Sequence, residues 1–170
     1  MLGWRWTWPG HCAVARLGRC VGVVLIEAGP ERPDPAGPGK IGGWLSSWPV
    51  PFPDRERAAE FLGGGSVGRG WAAELAETKE GLWLRFDREV MVAAVAAACG
   101  RSYWAEWRRI RCPALVVLGE KGFIVPEESD RMRRLRPDIP IVVIDGVGHD
   151  LHLEDPQALS EQMAGFLRHP

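Results

Sequence analysis

The feature that most constrains this chain is the run Val21–Glu27, VGVVLIE, which is apolar and largely β-branched at successive positions rather than at alternate ones. A strand with one wet face alternates apolar and polar residues, whereas a run of this kind suits a strand covered on both sides, as in a parallel sheet flanked by helices. Ala114–Leu118, which follows Pro113, reads as a further buried strand, and Ile139–Ile144 as another strand. Helical patterns follow each of them. Pro126–Leu135 starts with a proline suited to a first helical turn, and Asp155–Leu167 carries Leu159, Met163, Phe166 and Leu167 on an amphipathic pattern. The order strand, helical insertion, strand, helix, strand, helix predicts an α/β fold with a parallel sheet.

The insertion has a character of its own. Ala28–Pro53 is rich in proline and glycine, with Trp44 and Trp48 interspersed, and cannot hold a long helix. From Asp54 the pattern turns helical: Asp54 is placed to cap a helix carrying Ala58, Ala59, Phe61 and Leu62, which glycines 63–65 then stop. A second helix is expected over Gly70–Lys79. A third starts at Asp87, carries Val90, Met91, Ala94, Val95 and Ala98, and closes at Gly100. A short helix around Tyr103–Arg109 leads back to the sheet. The expected division is an irregular segment over 1–20, a core built from 21–35 and 108–170, and a small helical cap over 36–107. In the first segment Trp4, Trp6 and Trp8 alternate with Arg5 and Thr7, which reads as a poorly ordered end.

Composition excludes several classes of partner. A chain of 170 residues with 46% hydrophobic and 25% charged residues has the makeup of one globular domain. Lys+Arg 21 against Asp+Glu 22 gives a net charge of -1, so no electrostatic footprint for nucleic acid or an anionic membrane is expected. The apolar run ending at Ile26 is far too short for a membrane helix, and no signal peptide is expected. Cys12, Cys20, Cys99 and Cys112 lack C-x-x-C spacing and read as reduced thiols of a cytoplasmic protein. His149 and His152 lie three apart with no third ligand nearby in sequence, so neither a metal nor another cofactor is expected.

In open parallel sheets functional residues gather beyond the carboxyl ends of the strands. Here those positions are Glu27, the loop Gly119–Val125, and Gly148-His149. The stretches "RIRCPALVVLGEKGFIVPEE" and "IVVIDGVGHDLHLEDPQALSEQMAGFL" resemble the last two strand–loop–helix units of the α/β-hydrolase family, and "GVVLIEAGP" before a helical insertion resembles its sixth strand and cap. The resemblance covers roughly residues 21–170. It implies a partial α/β-hydrolase fold, a parallel sheet flanked by helices with a small helical cap, and a nucleophile–histidine–acid mechanism. By resemblance His149 is the base, whose plainer reading is a histidine at the start of the last helix, and His152 supports its loop. The family's G-x-x-D would put the acid at position 122, where this chain has Gly122. Some relatives carry the acid at the end of the sixth strand, which is Glu27. The plainer reading of Glu27 is a structural strand-end carboxylate, and Glu120 and Asp145 are the substitutes.

The family's nucleophile sits on a strand-to-helix turn, commonly G-x-S-x-G, ahead of both acid and histidine. No G-x-S-x-G occurs here, and Ser46, Ser47, Ser66, Ser102, Ser129 and Ser160 all follow Glu27. The expectation is that the nucleophile is missing, with residues 1–20 a shifted-frame translation of the region encoding the elbow helix. A central strand that has lost its neighbour would leave an apolar edge, giving a marginally stable chain able to self-associate through that edge. Two functions fit. One is hydrolysis of an ester or similar small apolar substrate, with epoxide or haloalkane hydrolysis also compatible, in an apolar pocket between cap and sheet lined by Trp44, Trp48 and Trp104, and by Trp71 and Trp83. The plainer reading of these indoles is core packing. The other function is that of a non-catalytic, truncated remnant that binds a ligand or a partner chain.

Overall fold

The structure is a computed structural model that describes residues 22–31 and 34–168; the expectations for residues 1–20 lie outside the described residues. In chain order the elements are β1 (Val23–Ile26), α1 (Gly37–Ser46), α2 (Arg55–Phe61), α3 (Gly65–Ala73), β2 (Ala76–Thr78), β3 (Gly81–Trp83), α4 (Arg88–Ala98), α5 (Trp104–Arg109), β4 (Ala114–Gly119), α6 (Pro126–Leu135), β5 (Ile141–Ile144), α7 (Leu151–Glu154) and α8 (Pro156–Arg168). They divide into two compact units, one made of residues up to Arg32 and from Arg101 onward, the other of Pro33–Gly100.

In the first unit β1, β4 and β5 form a parallel sheet in the order β1-β4-β5. Val23 pairs with Ala114 and Ile26 with Val117, while Val116 pairs with Ile141 and Gly119 with Ile144. Successive side chains point to opposite faces, so each face collects alternate residues. On one, Val23, Leu25, Ala114, Val116 and Leu118 pack with Trp104 and Trp107 of α5 and Met132 of α6. On the other, Leu115, Val117 and Ile144 pack with Leu151 of α7 and Leu159 of α8. Every residue of β4 is buried, as its continuous apolar run requires. In β1 the burial is one-sided: Val23 and Leu25 are buried, whereas Ile26 is 38% exposed. The sheet flanked by helices is the architecture expected from the strand–helix alternation.

The second unit departs more from expectation. Asp54 caps α2 through its side chain, which accepts from the Arg57 N–H at 2.8 Å, and glycines 63–65 stop the helix with positive φ at all three. The helix expected over Gly70–Lys79 instead starts at Gly65 and ends at Ala73, and Ala76–Thr78 and Gly81–Trp83 form an antiparallel hairpin. Helical propensity in ELAETKE is overridden because Leu82 exchanges both backbone hydrogen bonds with Phe52, at 2.9 and 2.8 Å, and Gly81 takes a φ of 130°. Helix α4 begins at its Asp87 cap as expected, but it buries none of its own side chains, and Val90 is 67% exposed. The core of this unit comes from Leu45, Trp48, Phe52, Ala58, Leu62, Leu75 and Leu82.

The second unit also ends earlier than the 36–107 expected for the cap. Tyr103 donates its N–H to the Pro30 carbonyl at 2.6 Å, and Trp104 and Trp107 join the sheet's core, so α5 belongs with the sheet. Trp107 is fully buried, and its Nε1–H donates to the Met132 carbonyl at 3.2 Å. Trp107→Ala should therefore lower the unfolding free energy by about 3–5 kcal/mol, to be measured by denaturant titration.

Candidate active site

The carboxyl ends of all three parallel strands meet around one carboxylate, that of Glu27. Glu27 follows β1, and its backbone adopts a φ of 46°, a left-handed conformation uncommon for a residue with a Cβ. Outliers of this kind persist where the surroundings over-determine them, and here the surroundings are specific. Oε1 accepts from the Gly119 N–H at 2.7 Å, at the end of β4, and Oε2 accepts from the Phe123 N–H at 2.8 Å, in the loop after β4. Oε2 also faces Nδ1 of His149, from the loop after β5, at 3.4 Å. The Glu27 side chain is 2% exposed and that of His149 is 45% exposed. The carboxylate is sealed and the imidazole is reachable, so solvent or a small molecule can meet the ring but not the acid behind it.

The same geometry bears on position 122, where the sequence has glycine. A Cβ built on Gly122 would overlap the Glu27 carboxylate, so the space next to position 122 is occupied by the Glu27 side chain arriving from the neighbouring strand. Gly122 is thus the complement of Glu27: a side chain there would expel the carboxylate. Burial raises the Glu27 pKa, but the hydrogen bonds from His149, Gly119 and Phe123 outweigh it and hold the carboxyl below its ordinary value of 4.5.

The loop bearing His149 is anchored by two further carboxylates. Glu120 accepts from the Gly146 N–H at 2.7 Å, and Glu154 of α7 accepts from the Gly148 N–H at 2.9 Å. Gly119 lies against the Val147 and Gly148 carbonyls so closely that a Cβ would overlap them. The Phe123 ring stacks on the His149 imidazole with centroids 4.3 Å apart and planes at 26°. Behind Glu27, the loop continuing from β1 is tied down as well. Glu31 donates its N–H to Glu128 of α6 at 2.8 Å, and Gly29 leaves room for that carboxylate. Burial pushes the Glu128 carboxyl above its ordinary value.

The structure brings Glu27 and His149 together. It gives Glu120 the task of fixing Gly146. Trp104, expected to line a pocket, sits in the sheet's core, 7% exposed, with Nε1–H donating to Glu31 at 3.0 Å and the Arg131 guanidinium over its ring at 4.0 Å. Trp44 and Trp48 lie in the second unit, stacked edge to face with each other at 4.9 Å and with Trp71. Trp48 is 4% exposed and Trp44 is 41% exposed. Sequence reasoning missed Phe123, for which a lone phenylalanine in a loop gives no signal, and Glu154. Among the described residues no serine, threonine or cysteine side chain is hydrogen-bonded to His149, no group of His, Cys, Asp and Glu is arranged to hold a metal ion, and no helix is long and apolar enough to cross a membrane.

A profile of the alpha/beta hydrolase family matches residues 3–162. N-formylmaleamate deformylase of Pseudomonas putida is 37% identical over 62 residues, which make up 36% of this chain and 23% of that protein. Among solved structures, E-2-(acetamidomethylene)succinate hydrolase is similar with a TM-score of 0.79 at 19% identity, over 94% of this chain and 62% of that one. The enol-lactonase from Burkholderia xenovorans is similar with a TM-score of 0.70 at 14% identity, over 95% and 61%. The structural likeness concerns the fold. The chain spans about three-fifths of the length of the two solved structures and under a quarter of the deformylase.

The depressed Glu27 pKa has a pH consequence. A carboxyl held below its ordinary value contributes stability that is present above that value and fades as pH falls through the folded one. Glu27→Gln should cost roughly 1.5–3 kcal/mol at pH 7, the scale of hydrogen bonds to a charged group. The gap between the two proteins in thermal scans should close as pH falls below 4.5.

Proposed function

Because this chain belongs to the alpha/beta hydrolase family, we propose that Glu27 and His149 are the acid and base of a nucleophile–histidine–acid mechanism that hydrolyses an ester or a similar small, mainly apolar carbonyl substrate. The observation that carries this reading is the 3.4 Å approach of a buried, charged carboxylate to a half-exposed imidazole at the carboxyl ends of parallel strands. In the tautomer with the proton on Nδ1, His149 donates to Glu27 and offers Nε2 as a base. Nε2 takes the proton of a nucleophilic hydroxyl, thiol or water as that group attacks the carbonyl carbon, and returns it to the leaving alcohol or amine as the carbon–heteroatom bond breaks. Where the nucleophile is a hydroxyl or thiol, a water deprotonated by the same Nε2 then attacks the acyl group and releases it as the acid, the nucleophile regaining its proton. Glu27 stays ionised throughout and stabilises the imidazolium. A catalytic hydrogen bond of this length without substrate is consistent with one that tightens in the reacting complex.

Of the indoles proposed for substrate binding, Trp44 and Trp83 keep exposed faces, at 41% and 36%, whereas Trp48 and Trp104 are buried, each in the core of its own unit. The named activities of the relatives, a deformylase, a hydrolase of an acetamido compound and an enol-lactonase, favour testing amides and lactones beside esters.

A second reading, a non-catalytic protein that binds a ligand or a second chain, is favoured by one observation. Among the described residues β1 pairs with β4 alone and Ile26 is 38% exposed, which would suit addition of a strand from a second chain.

Turnover of a chromogenic short-chain ester, amide and lactone separates the readings. The first expects hydrolysis that falls roughly 10²–10⁴-fold in His149→Ala. No turnover above buffer, with a sedimenting dimer that Ile26→Lys dissociates, would favour the second. The acid has its own check. Glu27→Gly should lose most of the rate, Gly122→Asp alone should lose it as well through overlap with Glu27, and the double variant should recover part of it. A double variant no better than either single one would remove Glu27 from the role of acid.

A further inference from the structure

We propose that Phe123 is the positioning residue of His149, a flat surface that keeps the imidazole turned with Nδ1 towards Glu27 and Nε2 towards the reacting group. The inference rests on the reading of His149 as the base and adds the residue that keeps it aligned. An imidazole turns about its Cβ–Cγ bond in a broad, roughly two-fold torsion. His149 has one side-chain hydrogen bond, 3.4 Å long, and is almost half exposed, which is weak restraint on such a ring. A second ring lying over it at 4.3 Å and 26° opposes that rotation, because turning the imidazole drives its edge into the phenyl face.

Core packing does not account for where Phe123 sits, since the residue is 74% exposed and its ring gains little from burial. What fixes it is its backbone. Its N–H donates to Oε2 of Glu27, the same oxygen that faces Nδ1 of His149. One carboxylate oxygen thus sets both the hydrogen bond of the imidazole and the origin of the ring that stacks on it. Gly122 completes the device, because its lack of a side chain lets the Glu27 carboxylate lie next to the Phe123 N–H. Other groups close to the loop are engaged elsewhere: Glu120 with Gly146 and Glu154 with Gly148.

The tautomer of His149 reads the alignment without any need for turnover. Free imidazole side chains favour the proton on Nε2, whereas the aligned ring carries it on Nδ1. Long-range proton–nitrogen correlation spectra of the full-length, ¹⁵N-labelled chain, at a pH where imidazole is neutral, distinguish the two, with His149 assigned by comparison with His149→Gln. The expected result is a single Nδ1–H tautomer in the parent and in Phe123→Tyr, which keeps the ring. Phe123→Leu, which keeps apolar bulk without a plane, should show a mixture with Nε2–H. Phe123→Ala repeats the test with a smaller side chain, and an amide spectrum unchanged away from the loops after β4 and β5 shows that the fold is intact. A parent with Nδ1–H whose leucine and alanine variants keep it unmixed would overturn the role of Phe123 while leaving the acid–base reading in place. A parent with Nε2–H would overturn the Glu27–His149 pairing itself, and the role of Phe123 with it.

Discussion

The arrangement turns on one buried carboxylate. Glu27 is the only contact through which the ends of β1, β4 and the loop after β5 are all tied to a common point among the contacts described: its oxygens accept from Gly119 and Phe123 and face His149. A charge taken out of water is costly unless its lone pairs are met, and two backbone N–H groups and an imidazole meet them here. The same contacts that offset the burial hold the carboxyl ionised, so the residue can act on its neighbour as a fixed negative charge. The left-handed backbone of Glu27 and the bare α-carbon of Gly122 are both conditions for placing that carboxylate.

Much of the sheet was legible from the sequence because its signals are local and strong. Continuous apolar runs mark β1, β4 and β5, and a proline opens α6. The candidate site was sought by the rule that chemistry collects at strand ends, together with the resemblance carried by Gly148-His149, and the structure brings Glu27 and His149 within 3.4 Å of each other. Gly122 stood out in the sequence, but that its bare α-carbon and the Glu27 carboxylate share one space exists only in three dimensions.

What failed had physical causes. The stretch after Trp71 reads as helix in propensity, yet pairing of Leu82 with Phe52 across some thirty residues decides for a hairpin. The apolar residues of α4 suggested a core face that the helix does not bury. Trp104 looked like part of an insertion because indoles are common there, and only its contacts with the sheet's core and Glu31 assign it otherwise. Phe123 was invisible because its position derives from a backbone hydrogen bond rather than from its own side chain.

The contact of Gly119 with the Val147 and Gly148 carbonyls has a mechanical consequence. Two loops that touch through bare backbone, with no side chain between them to deform, transmit displacement with little slack. Glu120 fastens the same two loops at Gly146, so the end of β4 and the histidine-bearing turn behave as one stiff bracket. Lengthening either loop would therefore move the imidazole as well.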